Sequence, residues 1–163
     1  MRRWPVATFV EALKPITLDQ DTHFLIVGGP QEFGDAKELM TRFPGRCLDA
    51  TGLSNLRETT ALLKRCALYF GNNSGPMHLA ALMKVPVVYV SCHTRRGVDA
   101  DTNSDFRFGP YGVPYTCLRS DRPLDSCPGD CEADSPHCIN QIGASEAIEA
   151  VNKALQGRFD HVV

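Results

Sequence analysis

The residues from Gly71 to His78 read GNNSGPMH and lie between two apolar runs, CALYF and LMKVPVVYV. Glycines at 71 and 75 allow a sharp turn and close backbone approach. Ser74 or Gly75 suits a helix N-cap. Pro76 suits the first helical turn, where no amide hydrogen is needed. The open amides and the positive helix end then form a site for phosphate. His78, in the first turn, can donate a hydrogen bond to the same anion. The same residues also suit a well-capped helix start, with Asn73 and Ser74 satisfying their own backbone. A second stretch, GGPQE at 28–32, follows an apolar run. The Glu32 carboxylate there can accept hydroxyl hydrogens from a ribose, or simply complement a helix dipole. Arg2, Arg3, Arg95 and Arg96 supply guanidinium groups, whose geometry matches phosphate. For at least one of each pair, the alternative is a solvated surface arginine.

Cys127, Cys131, Cys138 and His137 fall in one loop, CPGDCEADSPHC. The residue types suit zinc, but C-x3-C-x6-C with an adjacent histidine is not a standard ribbon or finger spacing. A thiol-lined structural loop without metal is the expectation. The chain has seven cysteines. An odd count in a reducing compartment favours thiols over a disulfide framework.

The elements that must position these residues are legible from periodicity. WPVATFVEALKPI has helical spacing, with Pro5 in the first turn and Pro15 ending it. HFLIVGG predicts a buried strand running into a glycine turn, 33–42 a helix, and RCLDATG a short strand. Asn55 caps a helix bearing Leu56, Thr59, Leu62 and Leu63. CALYFG predicts a strand, 76–84 a short helix, and PVVYVS another buried strand. From 92 to 141 the pattern weakens, and only YTCL has strand character. A last helix is predicted over 144–155. Alternating apolar strands and amphipathic helices argue for one α/β domain spanning 1–163, with a parallel sheet. In such sheets ligands bind beyond the carboxyl ends of the strands. That is where GGPQE, GNNSGPMH and SCHTRR would gather.

Composition narrows the classes. Of 163 residues, 43% are hydrophobic and 22% charged, and the net charge is −2. This is ordinary globular composition, without the basic excess of a nucleic-acid platform. No apolar run reaches the ~18 residues of a membrane span. MRRWPVATF has no apolar signal core, so a cytoplasmic location is expected.

The pieces together resemble glycosyltransferase family 9, the bacterial ADP-heptose:lipopolysaccharide heptosyltransferases. The carrying residues are RRWP, IVGGPQE, ATGLSNLRETTALLKRCALYFGNNSGPMHLAALMKVPVV, FRFGPYG, and the cysteine loop ending CINQI. The likeness covers nearly the whole chain but only the C-terminal half of such an enzyme. It implies a Rossmann-like domain, the donor half of a GT-B architecture. Arg2, Glu32, Asn73, Ser74, Gly75 and His78 would then bind the nucleoside-diphosphate sugar, for instance ADP-heptose. Ser74, Gly75 and His78 would lie at the diphosphate and sugar, Arg2 near the phosphates and Glu32 near the ribose. Transfer would invert the anomeric centre without metal or other cofactor, and the base would come from the other domain. No catalytic residue is expected in this half.

Three departures accompany the resemblance. Asn73 stands where the family carries aspartate, keeping the shape and a hydrogen bond but not the charge. SCHT replaces the family's phenylalanine-glycine-proline-threonine, in a loop where donor preference would diverge. The acceptor domain and the strand before RRWP are missing from the sequence. The sheet is therefore expected to pair HFLIVG directly with CALYFG, or to borrow a strand. A central strand built from residues after Cys92 would count against the alignment. Expected partners are a nucleotide sugar and either an acceptor-domain chain or a second copy. The runner-up reading is a non-catalytic nucleotide or nucleotide-sugar binding module.

Overall fold

The computed structural model describes residues 3–18, 21–96, 105–125, 127 and 137–162. Helix α1 (Val6–Leu13) opens the chain. Pro5 is its N-cap, in extended conformation, rather than a residue of its first turn. The helix ends before Pro15, which lies in a 3-10 turn over Lys14–Leu18. Proline has no N–H to continue the α ladder, so tighter bonding takes over. Strand β1 (Phe24–Ile26), helix α2 (Phe33–Arg42) and strand β2 (Cys47–Asp49) follow. Helix α3 (Leu56–Leu63) begins at Asn55, as the sequence predicts. The Asn55 side chain accepts from the amides of Arg57 and Glu58 at 3.0 and 3.1 Å. Glu58 in return accepts the Asn55 amide hydrogen at 2.9 Å, completing a capping box.

Strand β3 (Tyr69–Asn72), helix α4 (Gly75–Leu82), strand β4 (Val87–Val90), short helix α5 (Asp105–Phe108), strand β5 (Tyr115–Leu118) and helix α6 (Ala144–Leu155) complete the chain. Strands β3, β4 and β5 form one parallel sheet with β4 central. Val87 to Val90 are buried on both faces, as expected when helices cover both sides of a parallel sheet. Alternation divides the core. Val88, Val90 and Leu118 pack with Trp4, Ala12, Ile139, Ile142 and the inner face of α6. Val87, Tyr89 and Cys117 face the other way, toward Leu63 of α3 and Met77, Ala80 and Ala81 of α4.

The expected pairing of HFLIVG with CALYFG does not form. Strand β1 pairs in parallel only with β2, and β3 only with β4. The reason lies at Trp4. Its indole is 2% exposed and donates to the Ile142 carbonyl at 2.9 Å. Its ring packs edge-on against Phe9 and Phe70. Its backbone amide donates to Asn72 Oδ1 at 2.9 Å. These contacts anchor the N-terminal segment against β3, and α1 starts at once beside it. The strand formed after Cys92, β5, lies at the outer edge of its sheet and not at the centre. No described helix is long and apolar enough to cross a membrane.

Candidate functional site

The start of α4 is built by the strand before it. Asn73 extends the β3–β4 ladder by one residue, its amide donating to the Val90 carbonyl at 3.0 Å. The chain then turns, and Ser74 becomes the N-cap of α4 with extended backbone. Its hydroxyl does not cap the helix. It donates back to the Asn72 carbonyl at 3.3 Å. The Gly75 amide therefore heads the helix with no partner inside it, and Pro76 contributes no N–H. His78 is exposed one residue beyond the buried Met77.

The two glycines of this motif play different parts. A Cβ on Gly71 would lie 2.5 Å from the Tyr69 hydroxyl, so packing demands glycine there. A Cβ on Gly75 would meet nothing within 4 Å, and Gly75 does not have positive φ. Neither packing nor backbone strain within the chain requires Gly75. Beneath the turn, burial pushes the Tyr69 phenol up to about 12, partly offset by the neighbouring Ser74 hydroxyl, and the phenol donates to the Asn72 carbonyl at 3.4 Å. The ring is thus a neutral floor under the turn.

The GGPQE loop closes on itself. Glu32 Oε2 accepts the Gly29 amide hydrogen at 2.6 Å. The other carboxylate oxygen pairs with Arg3 at 2.6 Å. The Gly52 amide donates to the Gly28 carbonyl at 2.9 Å, tying the loops after β1 and β2 together. Arg3 thus holds the β1 loop while Trp4, its neighbour, holds Asn72 at the end of β3. This dipeptide bridges the two sheet pieces at the carboxyl ends of their strands. The sequence reading singled out the arginines and Asn73. It passed over Trp4 and Asn72, whose adjacency in RRWP and GNNS was the available signal. Arg2 lies outside the described residues.

In the SCHTRR loop, Arg95 and Arg96 are exposed. Their amides donate to the Ser120 and Asp121 carbonyls at 2.9 Å, and the Arg96 side chain faces Asp121 at 3.5 Å. The buried cation of this region is Arg119, which the sequence reading missed. Its guanidinium donates to the carbonyls of His93 and Thr94 at 3.1 and 2.6 Å and pairs with Asp105 at 3.0 Å. It fixes the path of the loop after β4. An arginine directly after the apolar run YTCL was the only hint.

Each candidate loop leaves the carboxyl end of a parallel strand, the position where open α/β sheets take ligands. The backbone superposes on the glycosyl transferase family 9 protein from Veillonella parvula DSM 2008 with a TM-score of 0.74 over 96% of this chain, at 22% identity. It also superposes on E. coli ADP-heptose lps heptosyltransferase II with a TM-score of 0.68 over 95%, at 18% identity. In both cases the chain spans 42% of the solved relative's length. No curated protein matches the sequence significantly. These likenesses define a mixed α/β fold with parallel strands flanked by helices. At the level of sequence, residues 1–130 match glycosyltransferase family 9 (heptosyltransferase), and the chain belongs to that family.

Proposed function

We propose that this chain is the donor-binding half of a heptosyltransferase-like glycosyltransferase. Its ligand would be a nucleoside-diphosphate sugar, destined for a lipopolysaccharide-type acceptor in the cytoplasm. The observation that carries the reading is the head of α4, where an open Gly75 amide meets the helix dipole at the end of β3. A diphosphate leaving group gains charge in the transition state, and fixed dipoles aimed at it stabilise that charge. His78 would donate to the same phosphates, Asn73 and Ser74 would contact the sugar side, and Glu32 would lie toward the ribose. With both oxygens of Glu32 engaged, ribose binding would share its remaining lone pairs or displace Arg3 toward a phosphate.

No general base is assigned to this half, so the chain alone is expected to show no glycosyl transfer. The partner would be an acceptor-domain segment or chain, or a second copy. The unpaired edges of β1 and β3 among the described residues favour such a partner. Thermal-shift measurement with ADP, UDP, GDP and their sugars tests binding, since a ligand of the folded state raises Tm. No shift with any of them would remove the proposal. The neutral Asn73 favours a second reading, a nucleotide-binding module without catalysis. Transfer that appears on adding an acceptor domain would exclude it.

A further inference from the structure

The donor-site reading leaves the cysteine loop between β5 and α6 unused. A turn closed by the Cys127 amide donating to the Leu124 carbonyl at 2.8 Å directs Cys127 toward the 3-10 turn Cys138–Gln141. There Cys127, His137 and Cys138 each present a ligand atom, all within 4.8 Å of one another. Cys138 is buried. His137 Nδ1 lies 3.0 Å from its sulfur and accepts its amide hydrogen at 2.7 Å. Among the described residues, His137 Nε2 is buried without a hydrogen-bond partner, and the ring's polar contacts lie on the Cys138 side. The Leu124 amide donates to the Cys138 sulfur at 3.4 Å. Sequence spacing argued against a metal here, but the fold brings the donors together regardless of spacing.

We propose that Cys127, His137 and Cys138 form a binding site for a thiophilic divalent cation, zinc. Two thiolates and an imidazole are the donor set that selects such an ion over magnesium or calcium. Tetrahedral zinc, with bonds of ~2.3 Å to sulfur and ~2.05 Å to nitrogen, holds its ligand atoms about 3.6–3.8 Å apart. The trio is at most about 1 Å wider than that, within reach of side-chain rotation. To ligate through Nδ1, the imidazole must release the Cys138 amide hydrogen that its one lone pair accepts at 2.7 Å and back away slightly from the Cys138 sulfur. The Leu124 N–H···S bond supplies the outer-shell support that metal thiolates use. Binding forms two metal–sulfur bonds and one metal–nitrogen bond and releases both thiol protons, with no change of oxidation state, so affinity rises with pH. The fourth position is left to water. Cys131 lies outside the described residues and takes no part in the argument.

The full chain, purified without chelator from zinc-containing medium, is analysed for metal. The stripped protein is then titrated with cobalt(II). One equivalent of zinc is expected, together with tetrahedral ligand-field bands and a thiolate-to-cobalt charge-transfer band. Cys127→Ser removes a part-exposed thiol and leaves the core intact. It should weaken zinc binding by more than ~tenfold and reduce the charge-transfer band to that of the one remaining thiolate, as His137→Gln should weaken binding. Cys66→Ser, remote from the cluster, should change neither. Circular dichroism confirms that each variant folds. Metal-free protein with no charge-transfer band would overturn the proposal. So would bands and affinity unchanged by Cys127→Ser, or a two-hydrogen mass deficit showing the cluster thiols joined as a disulfide.

Discussion

The two glycines of GNNSGPMH provide a matched test of fold and function within five residues. Replacing Gly71 by alanine places a Cβ 2.5 Å from Tyr69 Oη, 2.8 Å from Cζ and 3.1 Å from Cε1. Tyr69 is 8% exposed and packed beneath the sheet, so its ring has no room to withdraw. Overpacking a filled site costs about 1–3 kcal/mol, a fall in Tm of roughly 2–12 °C for a domain of this size. Replacing Gly75 by alanine meets no atom within 4 Å. Alanine is favoured over glycine in helices by up to about 1 kcal/mol, so Tm should hold or rise. Nucleotide affinity should nevertheless fall by about tenfold or more, equivalent to about 1.4 kcal/mol, because the phosphate must approach that backbone closely. Calorimetry of both variants with ADP, and melting without it, gives the four numbers needed. Tyr69→Phe deletes the nearest atom, so Gly71→Ala should cost less in that background: the double variant should lose less than the sum of the two single losses, a negative interaction energy in a double-mutant cycle. Unchanged ADP affinity in a folded Gly75→Ala variant, when wild type binds, would refute the role given to the α4 head. An unchanged Tm for Gly71→Ala would refute the packing account.

Three further outcomes follow from the same geometry. Arg119→Met removes one of the two side chains facing the Asp105 carboxylate, leaving His161 at 3.2 Å, and takes away the guanidinium bonds to the His93 and Thr94 carbonyls. Losing charged hydrogen bonds in a part-buried setting costs about 1.5–3 kcal/mol, and urea unfolding should show the loss as a lower midpoint. Asn55→Ala deletes the one side-chain oxygen that accepts both cap bonds of α3. It should cost about 1 kcal/mol, while Asn55→Ser should recover most of it. Burial pushes the Cys117 thiol from 9.0 up to about 12, so the folded state holds that proton more tightly than the unfolded chain does. Its stabilisation is complete below pH 9.0 and is lost as pH rises toward about 12. Tm should fall through that window, and less steeply in a Cys117→Ala variant compared with its own neutral value.

Much of the fold was legible because its signals are local. YTCL became β5, residues 144–155 became α6, and 33–42 became α2, each a segment whose period repeats within a few residues. The Asn55 cap was legible for the same reason, since donor and acceptor lie three residues apart. The candidate loops were also legible, because each had to leave a strand at its carboxyl end. Boundaries at proline were less so. Pro15 reads as a helix stop, yet the chain continued as a 3-10 turn, which tolerates its missing donor. The expected pairing of the first strand with CALYFG failed because strand partners are chosen by packing around the sheet rather than by the strand's own pattern.

What the sequence determined by itself is the order of the strands and of the helices other than α5, and the Asn55 cap of α3. All of these depend on hydrogen bonds and periodicities spanning one or two turns. The tertiary structure alone decided which strand edges stay unpaired, and that Arg3 and Trp4 tie the β1 loop to the end of β3. It also decided that Arg119 rather than Arg95 or Arg96 is the buried cation, and that Cys127 reaches His137 and Cys138. The physical reason is separation along the chain. Trp4 meets Asn72 across 68 residues and Ile142 across 138. Such contacts form only when the packed core has brought the segments together, and no short window of sequence records them.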